Sequence, residues 1–300
     1  MSSTNVSPQQ GRSRTRHIAL VAMLVAACGT SQPSAVPETV ASAGTATSST
    51  GPSEPATTAA APTARASGPP RDPAAYDEGV PYTPAFDPAT FVLRVTNPFF
   101  PMEVGASFVF DGDEHVEVEV LDRTKDILGI RATVVRDRVF EDCVVIEDTL
   151  DWYGEDPLGN VWYLGEDTAE YDHGKVTSRD GSWEAGVNGA LPGIVMLADP
   201  HPGDVYRQEF DEGNAEDLGE VTAVTGSVSA PAGAWSGADV LVTEEWTPLE
   251  PGVRERKVYV RGVGVVRIKT IEGGNEVTTL TSANLTSGDV GDPGRTCARA

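Results

Sequence analysis

The chain has 300 residues, and its 45 Asp and Glu against 22 Lys and Arg give a formal net charge of −23 at pH 7. An acidic surface of this kind repels nucleic acids and anionic lipid headgroups, so the composition excludes nucleic-acid binding as the function.

The first 27 residues form a predicted secretory signal peptide. Arg12, Arg14 and Arg16 precede the apolar run 18–27, which is shorter than the about 20 residues that a spanning helix needs. The run ends in Ala26-Ala27-Cys28, which resembles the bacterial lipobox. The resemblance implies that Cys28 becomes the diacylated N-terminus and anchors the protein on the outer face of the cell membrane. The alternative is a plain signal peptide with an incidental Cys.

The composition predicts three further regions. Residues 28–77 are rich in Ser, Thr, Ala and Pro and cannot bury enough apolar surface to fold, so they are predicted to form a disordered tether. Residues 78–286 are predicted to form a single β domain, and residues 287–300 a flexible C-terminal tail. Cys143 and Cys297 remain as an even pair, which an oxidising compartment leaves either as a disulfide or as two free thiols.

The sequence of the domain predicts β-strands throughout. The segment 127–171 has the highest density of Val, Ile, Thr, Trp and Tyr runs separated by turn residues, which is typical of a β-meander. No window keeps apolar residues at helical spacing. About a dozen short strands predict an all-β antiparallel barrel, half-barrel or sandwich.

Two segments interrupt this pattern. Asn97–Pro101 carries two prolines without amide donors, which favours an edge or a plug over a central strand. The Gly-rich stretch 180–198 is predicted to be a long packed loop that covers one end of a barrel.

Six short motifs between Asn97 and Ile268 resemble those of an uncharacterised family of bacterial exported proteins. They are Asn97-Pro-Phe-Phe-Pro101, Asp148-Thr-Leu-Asp-Trp-Tyr153, Gly159-Asn-Val-Trp-Tyr163, Gly181-Ser-Trp-Glu-Ala-Gly186, Glu245-Trp-Thr-Pro-Leu-Glu-Pro251 and Gly262-Val-Gly-Val265. The resemblance implies export and supplies no catalytic residues. Relatives often have Asp-Gly at the central turn, where this chain has Asp142-Cys143.

Motifs for metal or nucleophilic chemistry are missing from the sequence. His115, His173 and His201 lie in separate segments without zinc spacing, and no hydrolase elbow or phosphate loop is present. No cofactor is expected. Ca²⁺ is the one alternative, because the acidic loops Asp111–Glu114 and Glu166-Asp167 offer oxygen ligands.

One carboxylate pair follows from the expected strand register. A two-residue turn at Asp142-Cys143 places Asp137 opposite Asp148 on an apolar face. Two carboxylates there need an internal Arg such as Arg207 or Arg267, a Ca²⁺ ion or a shared proton. A register shifted by one residue is the alternative.

Three functions are compatible with the sequence. The first is a lipid-anchored binding module without catalysis, which predicts an apolar cavity of several hundred Å³ for an apolar or lipid ligand and Trp152, Trp162 and Trp183 facing it. The second is an envelope structural or protein-interaction lipoprotein with an exposed aromatic patch that includes Tyr153, Trp162 and Tyr163. The third is a hydrolase, which needs two convergent carboxylates with perturbed pKa values.

Overall fold

The computed structural model describes residues 73–76, 80–285, 287–292 and 296–297. The predicted signal peptide, Cys28 and the predicted tether up to residue 72 lie outside these described residues. Within them the helical elements are two 3-10 turns, Pro73–Tyr76 and Pro88–Thr90. No helix in the described part of the chain is long and apolar enough to cross a membrane.

Eighteen β-strands run through the described residues. They are β1 (Ser107–Gly112), β2 (His115–Ile127), β3 (Ile130–Glu141), β4 (Val144–Glu155), β5 (Val161–Asp172), β6 (Lys175–Ser178), β7 (Trp183–Glu184), β8 (Leu191–Met196), β9 (Val205–Arg207), β10 (Glu209–Phe210), β11 (Leu218–Ala223), β12 (Gly226–Ala230), β13 (Gly233–Gly237), β14 (Val240–Trp246), β15 (Arg254–Val260), β16 (Gly264–Glu272), β17 (Val277–Asn284) and β18 (Val290–Gly291).

Sixteen of these strands form one antiparallel sheet that curves into a nearly closed barrel, which confirms the all-β prediction. Along the sheet the order is β10-β8-β5-β4-β3-β2-β1-β17-β16-β15-β14-β11-β9. Two meanders, β1–β5 and β14–β17, therefore meet where β1 pairs with β17. β12 and β13 form a separate hairpin.

One continuous segment, Val205–Phe210, joins the two ends of the sheet and is called the crossing segment here. Its first half, β9, pairs with β11, and its second half, β10, pairs with β8, with Gln208 between them. Gly193 on β8 allows the close approach, because a Cβ at this position would overlap the backbone of Gln208. The barrel is thus closed by the path of the chain itself.

The Gly-rich stretch 180–198 is not the predicted loop. It contains β7 and β8, and both strands pair with β5 in the barrel wall. Its large side chains, among them Trp183, Val195 and Met196, are buried. The prediction failed because Pro192 and Gly193 interrupt the local strand pattern at the place where the crossing segment approaches.

The turn between β3 and β4 forms where the sequence predicts it. Glu141 faces Val144, and Asp142 and Cys143 both have positive φ, at 49° and 60°. Positive φ at both central residues is the hairpin geometry that Asn-Gly and Asp-Gly usually adopt. Cys143 takes this conformation in place of glycine.

A β-bulge follows immediately after this turn. Phe140 still faces Val145, but Val139 faces Glu147, so Ile146 is the extra residue on β4. Because side chains alternate between the two faces of a sheet, this shift moves every later residue of β4 to the face opposite to that predicted.

The bulge makes the predicted pairing of Asp137 with Asp148 wrong. Asp137 faces Thr149 inside the barrel, whereas Asp148 faces Arg138 on the outer surface. The two carboxylates are on opposite faces of the sheet, as a register shifted by one residue requires.

Asn97–Pro101 closes one end of the barrel and is called the plug. The Asn97 side-chain amide donates to the carbonyl oxygens of Gly159 at 2.9 Å and Leu197 at 3.1 Å. The backbone N–H of Gly262 donates to the Pro98 carbonyl at 2.6 Å. Since these partners come from separate parts of the barrel wall, the segment spans the opening and is a plug rather than an edge.

The C-terminal segment is tied to the barrel at two described points, contrary to the prediction of a flexible tail. β18 pairs with β17, and Cys297 forms a disulfide with Cys143 across a Cα–Cα distance of 5.0 Å. A polar composition does not reveal a covalent link of this kind. Of the two states left open for the cysteines, the structure has the disulfide.

Candidate functional site

An apolar cavity of about 90 Å³ lies inside the barrel beneath the plug and is partly open to solvent. Its walls come from the plug, the adjacent Met102, β1, β2, β3, β4 and the start of β16. The apolar and glycine lining residues are Phe100, Pro101, Met102, Phe108, Phe110, Val118, Val120, Val135, Tyr153, Gly264 and Val265. Two acidic residues complete the lining, Asp137 and Asp151. The cavity is therefore an apolar space with carboxyl groups in its wall.

Asp137 and Asp151 share this wall because of the bulge. On β3 and β4, Val135 faces Asp151 and Asp137 faces Thr149. The two acids are thus diagonal neighbours on the same face of the sheet, at the separation of about 7 to 8 Å that diagonal positions have.

Asp137 is buried without complete hydrogen bonding. Its side chain is 4% exposed, and its Oδ1 atom has no hydrogen-bond partner among the described residues. Burial, followed by the negative charges of Asp151 and Glu147, raises the pKa of Asp137 well above its usual value. A group in this setting favours its protonated form.

Asp151 and Glu166 meet at one phenol group. The Tyr163 hydroxyl is 2.7 Å from Asp151 Oδ1 and 3.2 Å from Glu166 Oε2. A phenol has one proton to donate, so the second contact is a hydrogen bond only if one of the carboxyls is itself protonated and donates. Burial raises the pKa of Asp151 to about 7 against the lowering effect of the Tyr163 bond, and it raises the pKa of Glu166 well above normal.

Hydroxyl groups continue this network away from the cavity. Thr168 Oγ1 donates to Glu166 Oε2 at 3.2 Å and lies 2.8 Å from Thr149 Oγ1. Thr149 is in turn 3.3 Å from Glu147 Oε1. Burial raises the pKa of Glu147 to about 7, with the Thr149 bond opposing the shift. A connected row of polar groups thus runs along the interior from Asp151 to Glu147.

Further buried polar residues lie on other strands of the barrel. Trp183 Nε1 donates to Glu209 Oε2 at 2.9 Å, and the Lys257 ammonium is 2.7 Å from Glu245 Oε2. Burial raises the pKa of Glu255 to about 7, opposed by the charge of Lys257. Among the described Lys and Arg residues, only Lys257 and Arg207 are buried. The barrel interior is therefore strongly acidic.

The two arginines proposed to neutralise Asp137 lie elsewhere. Arg207 donates to the carbonyl oxygens of Tyr76 at 3.1 Å and Glu216 at 3.2 Å. Arg267 donates to the carbonyl oxygen of Ser229. The predicted internal Arg bridge is wrong because both side chains find their partners away from the cavity.

Asp148 is neutralised on the outer face instead. Arg136 holds it with two bonds, Nε to Oδ1 at 2.7 Å and Nη2 to Oδ2 at 2.5 Å. This two-pronged geometry is the one that Arg and carboxylate groups favour. It fixes the outer surface of the β3–β4 hairpin and leaves Asp148 no role in the cavity.

None of the three predicted ligand-facing tryptophans lines this cavity. Trp152 lies under the Lys125 ammonium, 3.2 Å from its ring centroid, and Trp162 packs against Phe86. Trp183 is inside the barrel but packs edge-on against Tyr163, away from the cavity lining. The aromatic side chains that do line the cavity come from the plug, β1 and β4.

Sequence reasoning missed Asp151, which shares the cavity with Asp137. Its signal is the alternation Thr149, Asp151, Tyr153, which places all three on one face of β4. The error lay in choosing which face, because the bulge at Ile146 is not visible in the sequence.

The predicted calcium loops do not assemble as sites. Glu166 is buried inside the barrel, whereas Asp167 pairs with Arg179 at 2.5 Å on the exposed surface. Within the described residues, one group could bring three ligand atoms together: His115, Glu117 and Cys297. Cys297 is in the disulfide, so its sulfur is not available as a thiolate ligand.

No protein-family model matches the chain, and no curated protein matches it. The structure is similar to two solved structures. One, from Bacteroides fragilis, is described as a candidate exported protein with a YmcC-like fold; it is 16% identical, has a TM-score of 0.39, and the match covers 63% of this chain and 100% of that one. The other, from Parabacteroides distasonis, is described as a candidate lipoprotein; it is 12% identical, has a TM-score of 0.34, and the match covers 63% and 99%.

Proposed function

We propose that this protein is a lipid-anchored extracytoplasmic binding protein that takes an apolar group of a small molecule or lipid into the barrel cavity. The observation that carries the proposal is the cavity beneath the plug, with apolar walls and the buried, incompletely bonded carboxyl of Asp137. Binding sites of this type combine apolar walls with a few polar groups that orient the ligand. Cys28 would hold the domain at the membrane surface, where such ligands are found.

The cavity is smaller than the several hundred Å³ expected from the sequence for this function, and its volume restricts the ligand. About 90 Å³ is smaller than the roughly 300 to 1,000 Å³ of sites that enclose a whole drug-sized molecule. It is also smaller than the roughly 150 Å³ cavity that holds one benzene molecule in an engineered protein. The site therefore suits one end of an apolar chain, with the remainder of the ligand passing out beside the plug.

The proposal is tested by native mass spectrometry and lipid extraction of the protein purified from its own host. We expect a co-purifying apolar molecule that is lost in Val118→Phe, because Val118 lines the cavity and a larger side chain fills it. The matched control is Val258→Phe, which adds the same ring at a half-buried position away from the cavity. The proposal fails if no molecule co-purifies, or if both variants retain it equally.

A second candidate function has one specific observation in its favour. Asp137 and Asp151 line the same cavity, and burial raises the pKa of each. Paired carboxyls with raised pKa values are the chemistry of acid-base hydrolysis. The volume of the cavity disfavours a sugar ring, so the test substrates are small esters. Ester hydrolysis that Asp137→Asn abolishes would establish this alternative.

The aromatic residues that the protein-interaction alternative expects on the surface are buried. That alternative required an exposed aromatic patch that included Tyr153, Trp162 and Tyr163, and all three side chains are 5% exposed or less. Tyr153 and Tyr163 stack on each other inside the barrel, with ring centroids 4.9 Å apart.

A further inference from the structure

We infer that the polar end of the ligand is a primary ammonium group, which binds beside Asp137 while the attached alkyl chain occupies the apolar cavity. This inference rests on the proposed function and adds to it the chemical class of the ligand. It starts from an acceptor that lacks a donor, since Asp137 Oδ1 is buried in the cavity wall and unbonded within the described residues.

Asp137 faces Thr149 on β4, whose hydroxyl lies 2.8 Å from Thr168 Oγ1 and 3.3 Å from Glu147 Oε1. The other groups that face Asp137 are acidic or apolar. Its neighbours on β2 and β1 are apolar, among them Val118, Val120 and Phe108. The charges that act on it are those of Asp151, Glu147, Glu114 and Asp148, and all are negative.

The nearby cations are engaged with other carboxylates. Arg136 holds Asp148, Arg138 lies 3.5 Å from Glu117, and Lys257 lies 2.7 Å from Glu245. The cavity therefore lacks a resident cation among the described residues and has a negative potential.

This potential distinguishes between ligand head groups. A carboxylate would find no cation among the acidic and apolar residues that line the cavity, and an alcohol offers a single donor. An ammonium group offers three donors and a positive charge, and hydrogen bonds to charged groups are stronger than neutral ones. Phe110 and Tyr153 also line the cavity, and aromatic rings attract a cation that lies over their faces.

Binding has a definite proton balance. In the free protein the Asp137 carboxyl carries a proton. When the ammonium group docks, the Asp137 O–H bond breaks, the proton passes to solvent, and the carboxylate pairs with the ammonium. One proton is released for each ligand bound, so affinity should rise about tenfold for each pH unit while Asp137 is protonated. The alkylamine stays charged over this range, because amines of this type titrate near pH 10.

The test measures binding of hexylamine, hexan-1-ol and hexanoate by titration calorimetry, using the full chain carrying Cys28→Ala so that no detergent is needed. Hexylamine should bind at least about tenfold more tightly than hexan-1-ol. Repeating the titration in buffers of different ionisation enthalpy should show release of one proton. Asp137→Asn should weaken hexylamine by about tenfold or more and leave hexan-1-ol unchanged. Glu212→Gln, which removes one negative charge at an exposed turn position that does not line the cavity, is the control and should change neither.

The outcomes separate the two proposals. If hexan-1-ol binds as tightly as hexylamine and Asp137→Asn has no effect, the ammonium inference is overturned while the binding function stands. If none of the three compounds binds, both are overturned. Should Asp137→Asn fail to fold, the hexylamine titrations of the protein with Asp137 intact test the inference alone. Hexylamine binding without proton release or pH dependence would contradict it.

Discussion

Asp151 should make the protein less stable as the pH rises. Its folded-state pKa is about 7, against an ordinary value of 3.8 that we take for the unfolded chain. Between these two values the unfolded chain loses the proton while the folded protein keeps it. Stability from this group is therefore complete below pH 3.8 and is lost as the pH rises through 7. Asp151→Asn removes the titration, and its side-chain oxygen can still accept the Tyr163 hydroxyl.

The expected size follows from the shift. Each pKa unit corresponds to 1.36 kcal/mol, so a change from 3.8 to about 7 gives about 4 kcal/mol between pH 4 and pH 8. Relative to that of the wild type, the free energy of unfolding of Asp151→Asn should therefore rise by about 4 kcal/mol between pH 4 and pH 8. The Asp151→Asn variant should still lose some stability as the pH rises, because burial also raises the pKa of Glu147 to about 7.

The assay is equilibrium urea unfolding at several pH values from 4 to 8. Glu212→Gln, at an exposed turn position, serves as the control and should give a curve parallel to that of the wild type. If Asp151→Asn is also parallel to the wild type over the whole range, the buried carboxyl does not carry a proton and the reasoning for the interior network is wrong.

Four other changes test separate parts of the molecule. Cys28→Ala should move the protein from the membrane fraction to the medium, since an acyl chain contributes about 0.8 kcal/mol for each buried CH₂. Cys143→Ser should lower the free energy of unfolding by up to about 5 kcal/mol in chemical denaturation, because the disulfide spans 154 residues. Gly193→Ala should cost about 1 to 3 kcal/mol or more through overlap with Gln208, and an unchanged melting temperature would contradict the close approach. Asn97→Ala should cost about 2 to 4 kcal/mol and expose the plug to hydrogen exchange, because two carbonyl groups lose their donor.

The sequence was sufficient to predict those features of the fold that depend on a few neighbouring residues. The Asp142-Cys143 turn, the β-meander and the prolines of the plug each act through a few neighbouring residues, and each was predicted. The long-range features could not be predicted in this way. Nothing in Val144-Val145-Ile146 marks Ile146 as the bulged residue, because all three have the same β-branched character and the choice depends on packing across the hairpin.

This single shift accounts for the partial success at the site. Asp137 was identified as a buried carboxyl, but its expected partner lay on the other face and Asp151 was missed. The strand that contains Gly193 was missed for a related reason. Glycine has a low strand propensity, but at this position it allows the crossing segment to approach closely. Both errors occur where distant segments meet, and periodicity reports only on local structure.

The way in which the crossing segment closes the barrel also sets an order for folding. The meanders β1–β5 and β14–β17 consist of strands that are neighbours in sequence, so they need only short loops to form. Joining them requires Ser107 to meet Asn284, which closes a much longer loop at a higher entropic cost. Until Val205–Phe210 pairs on both sides, β8 and β11 remain open edges that could pair with another chain. Protection against aggregation is therefore complete only when this segment of six residues is in place.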